Sequence, residues 1–360
     1  MKKHLVIMTI SALLVLLIGG FFAVRIALES VSVMAGDSSE DAQESQAEEV
    51  AQTIDVEEYL QRMRTLAHVL EEESLEDPSV EENPPVLLWP VTDAPIPNPG
   101  ALLPFKRIVA YYGNFYSTRM GILGEYSRDE VLRRLNEAVL DWEEADPSTP
   151  VMPAIDYIAV TAQASPGGDG LYRFRMPEEH IERAIDMADE IGGIVILEVQ
   201  AGLANLMDEV EHLEPYLSLP QVHLAIDPEF AMKYRQPPGT AVGTVDASEL
   251  NTIAEYLAEL VQTHDLPPKI LVVHRYTQSM VTNSDQITPL ADVQVVMDMD
   301  GWGTPGQKIA TYKAYIQEEP VQFTGFKVFY KNDVRYTGSY LMSPEQILQL
   351  LPKPIFIQYQ

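Results

Sequence analysis

Four polar clusters carry the chemistry this chain can do: Glu198-Val-Gln200, Asp227-Pro-Glu229, His274-Arg-Tyr276 and Asp298-Met-Asp300. Each closes a short run rich in Val, Ile and Leu. Residues two apart on an extended chain project from one face. Glu198 with Gln200, Asp227 with Glu229, and Asp298 with Asp300 are therefore three same-face pairs. Neighbouring strands lie roughly 4.8 Å apart, close enough for one carboxylate to raise the pKa of the next. A carboxylic acid that keeps its proton beside an ionised partner is what cleavage of a glycosidic bond requires. Glu229 or Glu198 is the candidate acid, and Asp227 or Asp298 its partner. A competing reading gives these acids structural work, as helix caps or as partners of Lys327, Arg275, Arg173 and Arg175.

Flat rings with polar edges stack on sugar faces. Trp302, bracketed by Gly301 and Gly303 directly after Asp300, is the best candidate for an exposed platform. Asp300, Trp302, His274, Gln200, Tyr112, Asn114 and Tyr330 make up the candidate substrate contacts. Other chemistries find less support. The seven histidines show no His-x-His or His-Glu-x-x-His spacing, and no Gly-x-Ser-x-Gly elbow occurs. The chain has no cysteine, which removes thiol nucleophiles, disulfides, cysteine-bound zinc and a lipid-bearing cysteine. Magnesium or calcium on Glu198, Asp227 and Asp298 is chemically feasible, but no spacing selects it. No metal and no cofactor is therefore assigned.

The elements that must position these residues are eight strands, at Arg107–Asn114, Ile155–Gln163, Gly193–Gln200, Gln221–Asp227, Lys269–Tyr276, Val293–Asp300, Gly325–Lys331 and Pro354–Tyr359. Helices between them start at Ser127-x-x-Glu130, Asp246-x-x-Glu249 and Ser343-Pro-Glu-Gln346, which are capping boxes or close variants. Pro177 suits a first helical position, with a stop at Gly192-Gly193. Eight strands alternating with helices over about 255 residues match an α/β fold with a single (β/α)8 TIM barrel. An open doubly wound sheet is the alternative. In the barrel, the strands' carboxyl ends and the loops after them form the active site, where the four clusters fall.

Three regions follow. Residues 1–35 hold an apolar run from Leu5 to Val24, long enough to span a bilayer, behind Lys2 and Lys3. An uncleaved anchor is favoured over a signal peptide cut after Val33-Met34-Ala35, and both place the rest outside the cytoplasm. Residues 36–105 form an acidic linker, with a helix expected at 53–75 capped by Thr53 and a Pro-rich stalk from Pro78 to Pro104. The stalk's Leu87, Leu88, Trp89 and Leu102 are expected to cover the outer side of the eighth strand. The helix is read as a solvated spacer, or as docking on the domain, or as pairing with a copy of itself. Residues 106–360 are the barrel. Residues 36–83 carry sixteen Asp and Glu against two Arg, about half of the formal net charge of −30. Such a surface repels phosphate backbones and disfavours nucleic acid. A cell-envelope glycan is the expected partner, whether the chain cleaves it or is a non-catalytic barrel that binds it.

Several segments resemble a group of exported bacterial TIM-barrel proteins, many of them lipoproteins: Tyr111-Tyr-Gly-Asn114, Gly121-Ile-Leu-Gly-Glu125, Asp169-Gly-Leu-Tyr-Arg173, Val222-His-Leu-Ala-Ile-Asp-Pro-Glu-Phe230, Val272-Val-His-Arg275, Met297-Asp-Met-Asp-Gly-Trp302 and Ile355-Phe-Ile-Gln-Tyr-Gln360. The resemblance spans about 106–360 and implies a barrel at the cell surface, without an established activity. The chain departs from the lipoproteins in having no cysteine. Asp227-Pro-Glu229 is also similar to the end of the Asp-x-Asp-x-Glu motif of chitinase-type barrels, with Ala225 in place of the earlier Asp. That similarity implies Glu229 as acid and Asp227 as its partner.

Overall fold

Runs dense in β-branched and aromatic residues are buried on both faces, the mark of strands in a parallel sheet. The computed structural model describes residues 53–68 and 88–360. In chain order its principal elements are α1 (Val56–Leu66), β1 (Arg107–Gly113), α2 (Arg128–Ala145), β2 (Val151–Ala162), α3 (Glu178–Glu190), β3 (Ile194–Val199), α4 (Leu206–Glu211) and β4 (Val222–Ile226). They continue with α5 (Ala247–His264), β5 (Lys269–Arg275), β6 (Val293–Met299), α6 (Pro305–Tyr312), β7 (Phe323–Val328), α7 (Pro344–Ile347) and β8 (Phe356–Tyr359). Neighbouring strands β1 to β8 pair in parallel, and β1 pairs with both β2 and β8. The ring is closed, which removes the open doubly wound sheet. A short antiparallel strand, Arg173–Arg175, flanks β2.

Strand alternation divides the core in two. Outward residues such as Val109, Leu197, Val273 and Ile357 pack under the helices. Inward residues at the amino ends, among them Ile108, Ile194, Ile270, Val296 and Phe356, fill the lower barrel. Further up, the same inward positions turn polar, and the site begins there.

The lower mouth is closed by chain that precedes the barrel. In α1, Tyr59 and Met63 are buried in the lower-barrel cluster. Leu103 is fully buried, its backbone bonded in both directions to the Gln294 side chain (3.1 and 2.6 Å). α1 starts at an Asp55 cap rather than at Thr53, because the Asp55 carboxylate accepts the Glu58 N–H at 3.0 Å. Its docked face corrects the solvated-spacer reading. The Pro-rich segment follows the same route: Trp89 is buried, donates to the Gln317 carbonyl at 2.9 Å, and shares a small pocket with Met63, Phe323 and Pro352. Its described part, from Leu88 on, does not shield the outer side of β8. There the Tyr359 hydroxyl accepts from Trp142 of α2 at 2.9 Å, so the helix that follows β1 covers the last strand as ring closure demands.

The Ser127, Asp246 and Ser343 caps form as the spacing implies, and α3 begins one residue after Pro177. Among the described residues no helix is long and apolar enough to cross a membrane. The Leu5–Val24 run, the 36–52 linker, the end of the expected 53–75 helix and Pro84, Pro85 and Leu87 lie outside the described residues.

Candidate active site

The upper barrel holds a layer of charge below its opening. His274 on β5 stands beside Asp298 on β6, its registered neighbour, with Nδ1 3.1 Å from Asp298 Oδ2 and Nε2 3.0 Å from Glu198 Oε2. All three side chains are fully buried. Burial opposes a charge on His274, but the hydrogen bond to Asp298 and the close Glu198 carboxylate outweigh it and raise the imidazole well above its ordinary range. Burial likewise opposes the Glu198 charge, and the bond to His274 brings its pKa below the usual value. Glu198 Oε1 also accepts from the Tyr112 hydroxyl at 2.9 Å and from Gln200 Nε2 at 2.8 Å. Asp156 on β2 is bonded to Gln358 at 2.6 Å; burial and the Glu198 charge push it up to about 8.

Above this layer opens a cavity of about 500 Å³, lined by Asp227, Glu229, Tyr276, Asp300, Trp302 and Lys327 together with Tyr112 and Gln200. Asp227 directly follows β4 and caps the single turn Pro228–Phe230, its Oδ1 accepting the Glu229 N–H at 3.0 Å. The proline between the two acids starts that turn and swings Glu229 to the cavity wall, where it is half-buried. Burial, then the charge of Asp300, raises Glu229, while the Tyr276 hydroxyl pulls the other way. Asp227 is raised further, by burial and then by Glu198. Asp300 is raised by burial but opposed first by Lys327, whose Nζ lies 3.1 Å from Asp300 Oδ1 and 3.9 Å from the centre of the Tyr112 ring. Burial works against the Lys327 charge, and the surrounding acids, Asp300 first, raise it above the ordinary lysine range.

Of the sequence-derived candidates, Asp227, Glu229, Asp300, Trp302, Gln200 and Tyr112 meet at this cavity. Trp302 is 45% exposed and stacks on Tyr336 with centroids 6.1 Å apart. Glu198, Asp298 and His274 lie in the sealed layer beneath it. Asn114 is buried and bridges backbone, donating to the Ile158 carbonyl at 3.1 Å and accepting the Tyr116 N–H at 2.8 Å. Tyr330 stacks on Tyr359 and lines an adjoining cavity instead. The structural reading of the acids holds in part. Arg173 and Arg175 pair with Glu209, and Arg275 with Glu319, all away from the candidates, whereas Lys327 does pair with Asp300.

Residues that were not among the candidates also line the cavity, Lys327, Tyr276 and Arg119 among them. Lys327 had a signal in its spacing, since it sits two after Gly325 on a strand whose alternate residues face inward. Arg119 lies in a loop and has none. Among the described residues no group of three carboxylates or histidines is arranged to hold a metal ion.

No family model matches the chain, and no curated protein does. The resemblance to exported proteins therefore gains no support from either. Solved structures similar to it include the YdhT protein from Bacillus subtilis, at 14% identity over 71% of this chain and 80% of that one, with a TM-score of 0.37. Bacillus subtilis mannanase man26 shows 12% identity over 71% of this chain and 79% of its own, with a TM-score of 0.37. GH26C from Muricauda sp. MAR_2010_75 shows 12% over 73% and 71%, with a TM-score of 0.30. Barrels of one shape host many reactions, so chemistry has to be read from the site's own side chains.

Proposed function

We propose that the chain is an extracytoplasmic glycoside hydrolase, held at the membrane by the Leu5–Val24 run, with Glu229 as general acid and Asp300 as the ionised carboxylate. One observation carries the reading: both acids open on the same cavity, and the ammonium at 3.1 Å belongs to Asp300 while Glu229 has a phenol for its neighbour. Burial raises both carboxyl groups, and the cation beside Asp300 alone opposes its protonation, which is the difference that assigns acid and base. Glu229 gives its proton to the leaving glycosidic oxygen as the bond from the sugar carbon breaks. Asp300 stabilises the cationic sugar, either by bonding to it or by deprotonating an attacking water. Asp227 fixes the turn that carries Glu229. Glu198, His274 and Asp298 do not meet substrate; they position Gln200, Tyr112 and Asp300 from below. Trp302 and Tyr276 offer ring faces to sugar.

The test is turnover of envelope polysaccharides and chromogenic glycosides by the full-length protein. Glu229→Gln and Asp300→Asn are each expected to lower kcat by about 10²-fold or more. The rate should fall on the alkaline side as Glu229 loses its proton and on the acid side as Asp300 gains one. Lys327→Met removes the cation that opposes protonation of Asp300, so the acid limb should move to higher pH. Turnover that survives Glu229→Gln, with the pH profile unchanged, sinks the assignment. A second reading, a saccharide-binding barrel, draws on the cationic partners that Glu198, Asp298 and Asp300 already have. Tight glycan binding without turnover would favour it.

A further inference from the structure

A second cavity, of about 390 Å³, adjoins the first. Arg119, Phe329, Asn332 and Gln360 wall both, so the two cavities are immediate neighbours. Among side chains the second lining is cationic, with Arg119, Arg134 and Lys331 against the one acidic side chain Glu125, in a protein of formal charge −30. Two of these cations already have partners. Lys331 Nζ is 2.7 Å from Glu125, and Arg134 is paired with Glu130 while its guanidinium lies 4.1 Å from the centre of the Tyr126 ring. Arg119 is different. It is exposed, and among the described residues it forms no ion pair; only its backbone N–H is bonded, to Ser117 Oγ.

We infer that the substrate is an acidic glycan, whose unit in the second cavity carries a carboxylate or sulfate held by Arg119. This rests on the glycan-cleaving reading. A guanidinium presents a planar fork of N–H donors that matches two oxygens of either anion, and such charge-assisted pairs are roughly twice as strong as neutral hydrogen bonds. A neutral sugar makes no use of that fork. An acidic surface elsewhere repels a polyanion, so one unpartnered cation at the junction of the two cavities selects where along the chain the charged unit sits. The acids that line the first cavity offer little opposition. Lys327 balances Asp300, and burial favours the neutral forms of Asp227 and Glu229.

The experiment is calorimetric titration of the full-length protein carrying Glu229→Gln, which separates binding from turnover. Probes are a four-unit oligogalacturonate, a sulfated galactose tetramer and cellotetraose. One acidic tetramer should bind about tenfold or more tightly than the neutral one, and the preference should shrink with added salt. Which acidic tetramer it is distinguishes carboxylate from sulfate. Adding Arg119→Gln should bring the acidic tetramer down to the neutral affinity, while Arg119→Lys keeps part of the preference. Equal affinities, no binding of any probe, or a preference that survives Arg119→Gln would overturn the inference. Wild-type turnover is scored separately. Acidic preference without turnover leaves the Arg119 site standing and removes the hydrolase; cleavage of neutral chains with no acidic preference does the reverse.

Discussion

Gly325 on β7 marks how closely the charged layer is fitted at the level of single residues. A Cβ there would lie 2.4 Å from Asp298 Oδ1 and 2.9 Å from Phe356 Cδ1. The missing side chain is what lets Asp298 sit opposite its registered neighbour and still reach His274. Gly325→Ala has to displace that carboxylate or the Phe356 ring, and is expected to cost about 1–3 kcal/mol in denaturant unfolding. An unchanged midpoint would mean that the layer has slack. The histidine between two buried acids follows the same logic. A charge on His274 is tolerable inside the barrel only because carboxyl groups lie about 3 Å from both ring nitrogens. His274 was legible in the sequence as a polar residue at a strand end. Its ion pairs were not, since both partners are at least 24 residues distant along the chain.

Among the elements, the eight strands were readable because buried parallel strands need near-continuous apolar runs, and the helix starts were readable from their caps. Boundaries moved by a few residues. β2 starts at Val151, ahead of the expected Ile155, because Arg107 to Gly113 of β1 offer partners for that whole stretch. The role of α1 was not readable: an acidic helix with a few apolar residues looks the same in solvent and against a barrel mouth. Met63→Ala is expected to lower stability by about 2 kcal/mol, the small end of such truncations because the helix sits at the rim. Thermal unfolding followed through Trp89, which shares a pocket with Met63, measures this. If stability is unaffected, α1 contributes nothing to closing the barrel.

For the molecule as a whole, the fold stores a pH dependence at the end opposite the cavity. Lys269, at the start of β5, is fully buried, and its Nζ donates to the carbonyls of Leu219 and Val222 at 2.5 and 2.9 Å. Burial pushes it down to about 7, from 10.5 in the open chain. Between those values the unfolded chain binds a proton that the folded one has released, so stability rises with pH across the window. Relative to Lys269→Met, the wild type should gain on the order of 1 kcal/mol per pH unit there; parallel stability curves would remove Lys269 as the source. The amino-acid sequence by itself determined the number of strands, which residues alternate inward, and that acids gather at one set of strand ends, because these follow from local backbone geometry and side-chain period. Which of those acids face the cavity and which are sealed below it was decided by the tertiary structure alone. So were the cation beside Asp300 and an Arg119 without an ion pair among the described residues. Burial and charge state depend on groups from distant strands and loops, and only closure of the ring brings those within a few ångströms.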